Sequence, residues 1–455
     1  MSRWIMPLVV AAFVPMGRAQ QYELTVVEPN STYPLAISVC ADITDTGWVM
    51  GSNENQGTQQ TFEWRQSHGL RYPPVAQTPR RLTDRGDLLY STLLVYADGT
   101  SVEIPDLQGG PGINVSLRDL NRDRIVVGSS PGSGNTSSIL IWDPIRGSRN
   151  IDIWAAKALL RVNAFDQAVG YSSTAKGSSD GFVCNIETGT FVQFNGLFGA
   201  PWSEAIDVNE LGVVVGRATL SSGTRAFIWD SQSGMTLLPG LDGGDVQYVL
   251  PRAIDNKGRV VGQALTGTND WRAFVWEPLV GMTNLHTAHD QPGTDFELIE
   301  AKDISETGVI IGNGYHGPVW GPQRGFILNP GGAWADLGLG RGGALGKPVL
   351  QGVGELKPGF NGRLEIVGAH ASSSGSLLVS FSYDPTRMFG GVVAALPAQI
   401  VLPIQTNGIG SVSLPFTTPA NAPSGFRVFV QAVILDPTAP NGLAISNALR
   451  GLVGQ

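Results

Sequence analysis

Seven segments of this 455-residue chain repeat one short pattern, most clearly at Asp207–Gly216, which reads DVNELGVVVG. The copies end on Gly51, Tyr90, Gly128, Gly170, Gly216, Gly262 and Gly312, spaced 39, 38, 42, 46, 46 and 50 residues apart. A period of that size constrains the fold more tightly than any composition. Each unit is one supersecondary piece, and it can bury its apolar faces only against its neighbours.

The pattern is that of a hairpin. Eight residues before the end every copy carries an aliphatic residue: Ile43, Leu82, Leu120, Val162, Val208, Ile254 or Ile304. A short polar residue follows: Thr44, Thr83, Asn121, Asn163, Asn209, Asp255 or Ser305. Three positions later stands glycine in five copies (Gly47, Gly86, Gly212, Gly258, Gly308), with Arg124 and Asp166 in the other two. A short polar side chain with glycine three residues on marks a type I turn, so these are structural turn residues. The apolar run after the turn has no alternation, as in a strand buried on both faces. The terminal glycine marks a bulge, a bend or a close backbone approach.

Each copy continues through a variable loop to a second strand, such as Phe227-Ile228-Trp229 or Phe274-Val275-Trp276, then to a turn and a short further strand. Three or four strands in about 40–50 residues is the size of a propeller blade. The expected fold is therefore all-β: a seven-bladed β-propeller over residues 20–338, with Trp64, Trp142, Trp229 and Trp276 between blades. The strand Tyr22–Glu28 is expected to close the ring by pairing near Trp334–Leu337. Glycine (59) and proline (29) suit a turn-rich all-β chain, and no capped helical periodicity competes with that reading.

Residues 1–19 read as an export signal, with Arg3, an apolar core Ile5–Met16, and small residues Gly17 and Ala19 at the cleavage positions. That core is too short to span a bilayer, and no later stretch is long and apolar enough, so a secreted, periplasmic or cell-surface monomer without a transmembrane segment is expected. The net charge of −8 and the absence of any Lys/Arg block argue against nucleic acid as a partner. Cys40 and Cys184 fall on different repeats and are expected to be unpaired.

Ala205–Gly216 with Ala226–Asp230 and Gly234-Met235 resembles the HAF-type extracellular repeat of exported bacterial proteins, and Ala253–Gly262 with Ala273–Glu277 and Gly281-Met282 is the next closest copy. The resemblance spans roughly residues 22–338. It implies an extracellular β-propeller-like domain and no reaction. Tyr90 and Cys184 depart from it.

After about residue 339 the repeat stops. Strand candidates at Arg363–Val367, Ser376–Phe381, Gly391–Ala395, Ser411–Pro415 and Phe426–Leu435 suggest a C-terminal β-sandwich over residues 339–455. Gln431, Leu435-Asp436-Pro437, Gly442 and Ser446-Asn447-Ala448 resemble a small β-rich domain at the C-termini of exported bacterial proteins. That resemblance implies an accessory module with no catalytic residues.

Candidate chemistry is sparse. Gly338-x-Gly340-x-x-Gly343 matches a dinucleotide fingerprint by letter only, since no helix pattern follows. ALGKP lacks the glycine and Ser/Thr of a phosphate loop. His286 and His289 lack the further ligands of a zinc site, the turn acids are too few for a calcium loop, and no nucleophile elbow occurs. No cofactor, metal or catalytic residue is expected. One column remains: nine residues before each copy's end stand Asp42, Arg81, Asp119, Arg161, Asp207, Ala253 and Asp303. If these line a central channel, they form a mixed-charge ring that could bind a ligand. The expected function is a non-enzymatic binding or structural scaffold, whose partner is an extracellular glycan or protein. The alternative is a propeller-fold hydrolase or lyase acting on extracellular polysaccharide.

Overall fold

The computed structural model describes residues 22–28, 37–55, 58–65, 69–72, 79–109, 115–131, 137–151, 153, 156–173, 179–194, 199–241, 248–291, 294–317 and 321–454. The expected export signal, 1–19, lies outside them. The fold is all-β and propeller-like. Among the described residues no helix is long and apolar enough to cross a membrane.

Each repeat becomes antiparallel strands in chain order. In the fifth, Trp202–Val208 pairs with Val214–Leu220, which pairs with Gly223–Asp230, which pairs with Gly234–Leu237. The first, second, third, sixth and seventh repeats form separate four-stranded sheets, and the fourth joins the fifth through a parallel bridge between Ser179 and Trp202. The fourth strand of the last sheet is Glu23–Val27, running antiparallel to Gln323–Asn329. The N-terminal strand thus joins the last repeat, as expected, but not at the expected partner. Trp334–Asp336 pairs with Leu449–Gly451 and belongs to the C-terminal part. The reason is register: Val27, Ile327 and Ile311 together cover Cys40, Val49 and Phe62 of the first repeat.

The turn forms as its residues dictate. Asn209 Oδ1 accepts from the N–H groups of Leu211 (3.1 Å) and Val213 (2.9 Å). The residue three after the polar one has positive φ in all seven copies, including Arg124 (65°) and Asp166 (61°). That conformation favours glycine. Arg124 bears it while its side chain reaches Asp87 of the preceding repeat (Nε–Oδ2 2.9 Å).

The terminal glycine answers to a different constraint. In six copies the first strand skips register opposite it, as between Ala205 and Asp207. The bulge pushes a carbonyl at the glycine, so a Cβ on Gly216 would collide with Glu204 O and with the ring of Phe227, its cross-strand partner. That Phe ring occupies the hollow which glycine leaves. Phe62, Phe182, Phe227, Phe274 and Phe326 are all fully buried in this place. The tryptophans two residues on do less than expected. Trp64 and Trp142 are buried, but Trp229 and Trp276 are only partly covered. Gly216→Ala is expected to lower stability by about 2–3 kcal/mol through overpacking, against about 1 kcal/mol for Gly212→Ala at the turn, checked by urea denaturation of both variants.

Successive apolar residues of the second strand face opposite ways. Val214 packs with Val169 and Val183 of the fourth repeat, while Val215 packs with Val249 and Phe274 of the sixth. This is why the run shows no alternation: both faces of each sheet are interior. Cys40 and Cys184 are buried, free thiols.

Beyond Trp334 one sheet contains Ser374–Ser380, Ile400–Gln405, Arg427–Leu435 and Leu449–Leu452, and another contains Val349–Val353, Asn361–Val367 and Val412–Thr417. They share a core of Leu350, Leu364 and Ile366 against Leu377, Val430 and Ile434. The quoted C-terminal motif residues are clamps in it. Buried Gln431 accepts from Ala394 N (2.8 Å) and donates to Val392 O (3.1 Å) and Ser446 O (2.9 Å). Asn447 accepts from Leu350 N (2.7 Å) and donates to Asp336 Oδ1 (3.0 Å).

Candidate functional site: the central channel

The six charged residues nine before the anchors do meet. Arg81 pairs with Asp42, with Asp119 (Nε–Oδ1 2.7 Å) and with Asp303 (Nη1–Oδ2 3.1 Å). Arg161 reaches Asp207 (3.6 Å), Asp303 (3.7 Å) and Asp119 (4.0 Å). One arginine thus touches acids of the first, third and seventh repeats, which is possible only if the inner strands surround a common axis. Ala253 fills the uncharged place.

The acids do not bond their own turns. Asp42 Oδ2 accepts from Leu82 N (2.6 Å), Asp119 Oδ2 from Val162 N (2.8 Å) and Asp207 Oδ2 from Ile254 N (2.9 Å). Each donor lies on the inner strand of the next repeat. Asp207 Oδ1 and Asp303 Oδ1 accept from the following residue's N–H (2.9 Å each). Counting these with the arginines, every one of the eight carboxylate oxygens has a partner. The column is a joint that stitches neighbouring inner strands.

Two more joints run beside it. Asn121, Asn163 and Asn209 each donate from Nδ2 to the backbone oxygen of the corresponding residue in the next repeat, Asn163, Asn209 and Asp255, at 3.0, 2.9 and 2.8 Å. Asparagine accepts within its turn and donates across the gap, which an aspartate cannot do, so Asn209→Asp is expected to cost about 1 kcal/mol by removing one of the two donors to Asp255 O, which keeps only Gly258 N (3.0 Å). Thermal denaturation of that variant checks it. The third joint runs the other way: Glu210 Oε2 accepts from Ala164 N (3.0 Å) and Glu306 Oε2 from Asn256 N (2.9 Å).

Glu210 and Glu306 belong to a second ring, six residues before the anchors, with Asp45, Asp84 and Arg122. Sequence reasoning missed it, although the column was readable. Between the two rings lies a cavity of about 170 Å³ whose lining includes Tyr383 of the C-terminal part. The Tyr383 hydroxyl is buried with no hydrogen-bond partner among the described residues. Burial, then Asp45, Glu306 and Glu210, hold it well above the usual phenol range. Burial also drives the carboxyls. It pushes Asp207 and Glu210 up to about 7, the latter against the pull of Arg122, and raises Asp45 and Glu306 well above the ordinary range.

The C-terminal part sits on the turns at this end of the channel. Arg122 pairs with Asp384 (2.6 Å), Arg427 donates to Thr46 Oγ1 (2.8 Å), and Arg387 lies over Phe165 at 4.3 Å. The linker carries the GxGxxG letters. A Cβ on its Gly338 would meet Asn256 O at 2.7 Å, so the glycine permits a close pass over the sixth turn. His286 and His289 lie away from the channel with rings 6.1 Å apart, on a short 3-10 turn and just after it.

No protein-family profile matches the chain. No curated protein matches it in sequence. Among solved structures it is similar to TolB from Acinetobacter baumannii (9% identity, TM-score 0.35, covering 68% of this chain and 97% of that one). A puromycin-hydrolysing peptidase from Mycobacterium tuberculosis gives 12% identity and a TM-score of 0.43, over 77% of this chain and 62% of that one. A putative gluconolactonase gives 8% and 0.31, over 68% and 92%. At such values these likenesses carry no argument about activity.

Proposed function

We propose that this chain is an exported, non-enzymatic binding scaffold: a seven-bladed β-propeller of the HAF-type repeat class, with a C-terminal β-sandwich seated over one end of its channel. The observation that carries the reading is the saturation of Asp42, Asp119, Asp207 and Asp303. A catalytic pair needs one carboxyl free to take or give a proton at substrate, and here each oxygen is held by an arginine or an N–H group. Strand direction supports the site of binding. The turns of the shared motif lie under the C-terminal part, so the described loops joining second to third strands, such as 266–270, emerge at the opposite face, and the corresponding segments vary in length and composition from repeat to repeat.

The test is a screen of the full chain against extracellular glycans and secreted proteins, run beside polysaccharide cleavage assays. Binding without cleavage is the expected result. Cleavage that disappears in Asp119→Asn or Asp207→Asn, with folding intact, would overturn the reading in favour of a propeller hydrolase or lyase.

A further inference from the structure

The register skip that crowds each terminal glycine leaves one residue of the inner strand unpaired. That residue is Ala41, Arg118, Leu160, Ile206, Arg252 or Lys302. In the second repeat Arg80 holds the same place, just ahead of the short strand Arg81–Leu82. Four of the seven positions are therefore basic and none is acidic, in a chain whose net charge is −8. A bulge re-aims its side chain. The residue before the bulge, such as Leu117 or Ala205, is buried between repeats, and the residue after it, such as Asp119 or Asp207, faces the channel, so the bulged residue sits on the inner strand beside that ring.

The contacts agree. Arg80 Nη1 reaches across to Leu117 O (3.5 Å) on the next inner strand, and Arg252 pairs with Glu300 (2.7 Å) on the next inner strand in its turn. Arg80 and Arg118 are exposed, and Arg118 forms no ion pair among the described residues. These side chains lie one step along the strand from the acidic ring, away from the turns and the C-terminal part. The mouth opposite that part thus has a basic arc with Glu300 as the carboxylate paired into it. The half-buried Leu160 and Ile206 complete its circumference.

We propose that this rim, Arg80, Arg118 and Arg252, binds a polyanionic glycan of the polyuronate type; Lys302 stands apart, its ammonium turned to buried Asn313. The basic arc meets the carboxylates, and Leu160 and Ile206 meet the apolar face of a sugar ring. The proposal rests on the binding-scaffold reading and names its ligand class. Duplex nucleic acid fits less well, since a single small ring of cations cannot track a phosphate backbone.

The experiment uses the full chain with polygalacturonate, a neutral β-glucan and duplex DNA as probes, at about 50 and about 300 mM salt. Polygalacturonate binding is expected, weakening with salt, about tenfold weaker in Arg118→Glu and lost in Arg80→Glu/Arg118→Glu. Arg118→Gln, with an unchanged melting curve, controls for folding and should lie between. Failure to bind polygalacturonate, equal binding by the double variant, or equal binding of duplex DNA overturns the proposal. Binding of the neutral glucan alone, unchanged in the variants, overturns the rim but keeps the scaffold. Cleavage of any glycan would instead remove the scaffold reading itself.

Discussion

Raising the pH from about 5 to about 8 should lower the melting temperature by roughly 5–10 °C. The cause is the buried acid around the cavity. Burial raises Asp207 and Glu210 to about 7, and raises Asp45 and Glu306 well above the ordinary carboxyl range. A carboxyl that holds its proton more tightly folded than unfolded contributes full stability below its unfolded value, near 4, and loses it as pH rises through 7. Asp207 and Glu210 together account for on the order of 5 kcal/mol across that window. Asp143 and Asp230 act in the opposite sense. Burial is outweighed at Asp143 by local N–H groups and the Arg146 guanidinium, and at Asp230 by the Ser233 hydroxyl and local N–H groups, so both lie below the ordinary range and their contribution is lost only on the acid side. The optimum therefore falls near pH 5 and not at neutrality. Glu210→Gln fixes the neutral form and still accepts from Ala164 N, so it should flatten the profile between pH 5 and 8. Superimposable wild-type melts at both pH values, or a Glu210→Gln profile as steep as wild type, would refute this account of the cavity.

The same cavity marks where the sequence stopped being legible. The turn residues Thr44, Asn121, Asn163, Asn209, Asp255 and Ser305, and the glycines Gly47, Gly212, Gly258 and Gly308, were readable because hairpin geometry is local. A side-chain acceptor and a residue tolerant of positive φ must stand at fixed spacing whatever surrounds them. Burial of consecutive valines was readable for the same kind of reason. The division of labour between Phe227 and Trp229 was not, because it depends on which residue lies opposite Gly216 across the sheet. The charge column was found, but its purpose was not. Asp42, Asp119 and Asp207 each bond the repeat that follows, and a bond between repeats leaves no spacing signature within one. The roof of the cavity lay furthest from reach: nothing near Tyr383 in sequence says that it will face Asp45, Glu210 and Glu306, which lie 77 to 338 residues earlier in the chain.

Removing Arg81 should be the most damaging single change in the channel. Arg81→Met deletes the cation shared by Asp42, Asp119 and Asp303, whose side chains are 2%, 9% and 16% exposed. Breaking a buried pair from one side costs about 3–5 kcal/mol, because the charge left behind has neither partner nor water. Burial opposes the charge on Arg81 itself, but Asp42, Asp119 and Asp303 outweigh it and raise its pKa well above the usual range, so the arginine is ionised at every accessible pH. The acids are the members that can respond. Arg81 pulls Asp42 and Asp303 down, so without it these two bind protons more tightly and the damage should be smaller at pH 5 than at pH 8. Arg161→Met supplies the comparison. It makes the same kind of contact at 3.6–4.0 Å and is 23% exposed, against 11% for Arg81, so it should cost less than half as much. Urea denaturation of both variants at both pH values tests this. Equal losses for the two arginines, or a loss for Arg81→Met under about 1 kcal/mol, would mean that the inner ring is a solvated site and not the joint that holds the repeats together.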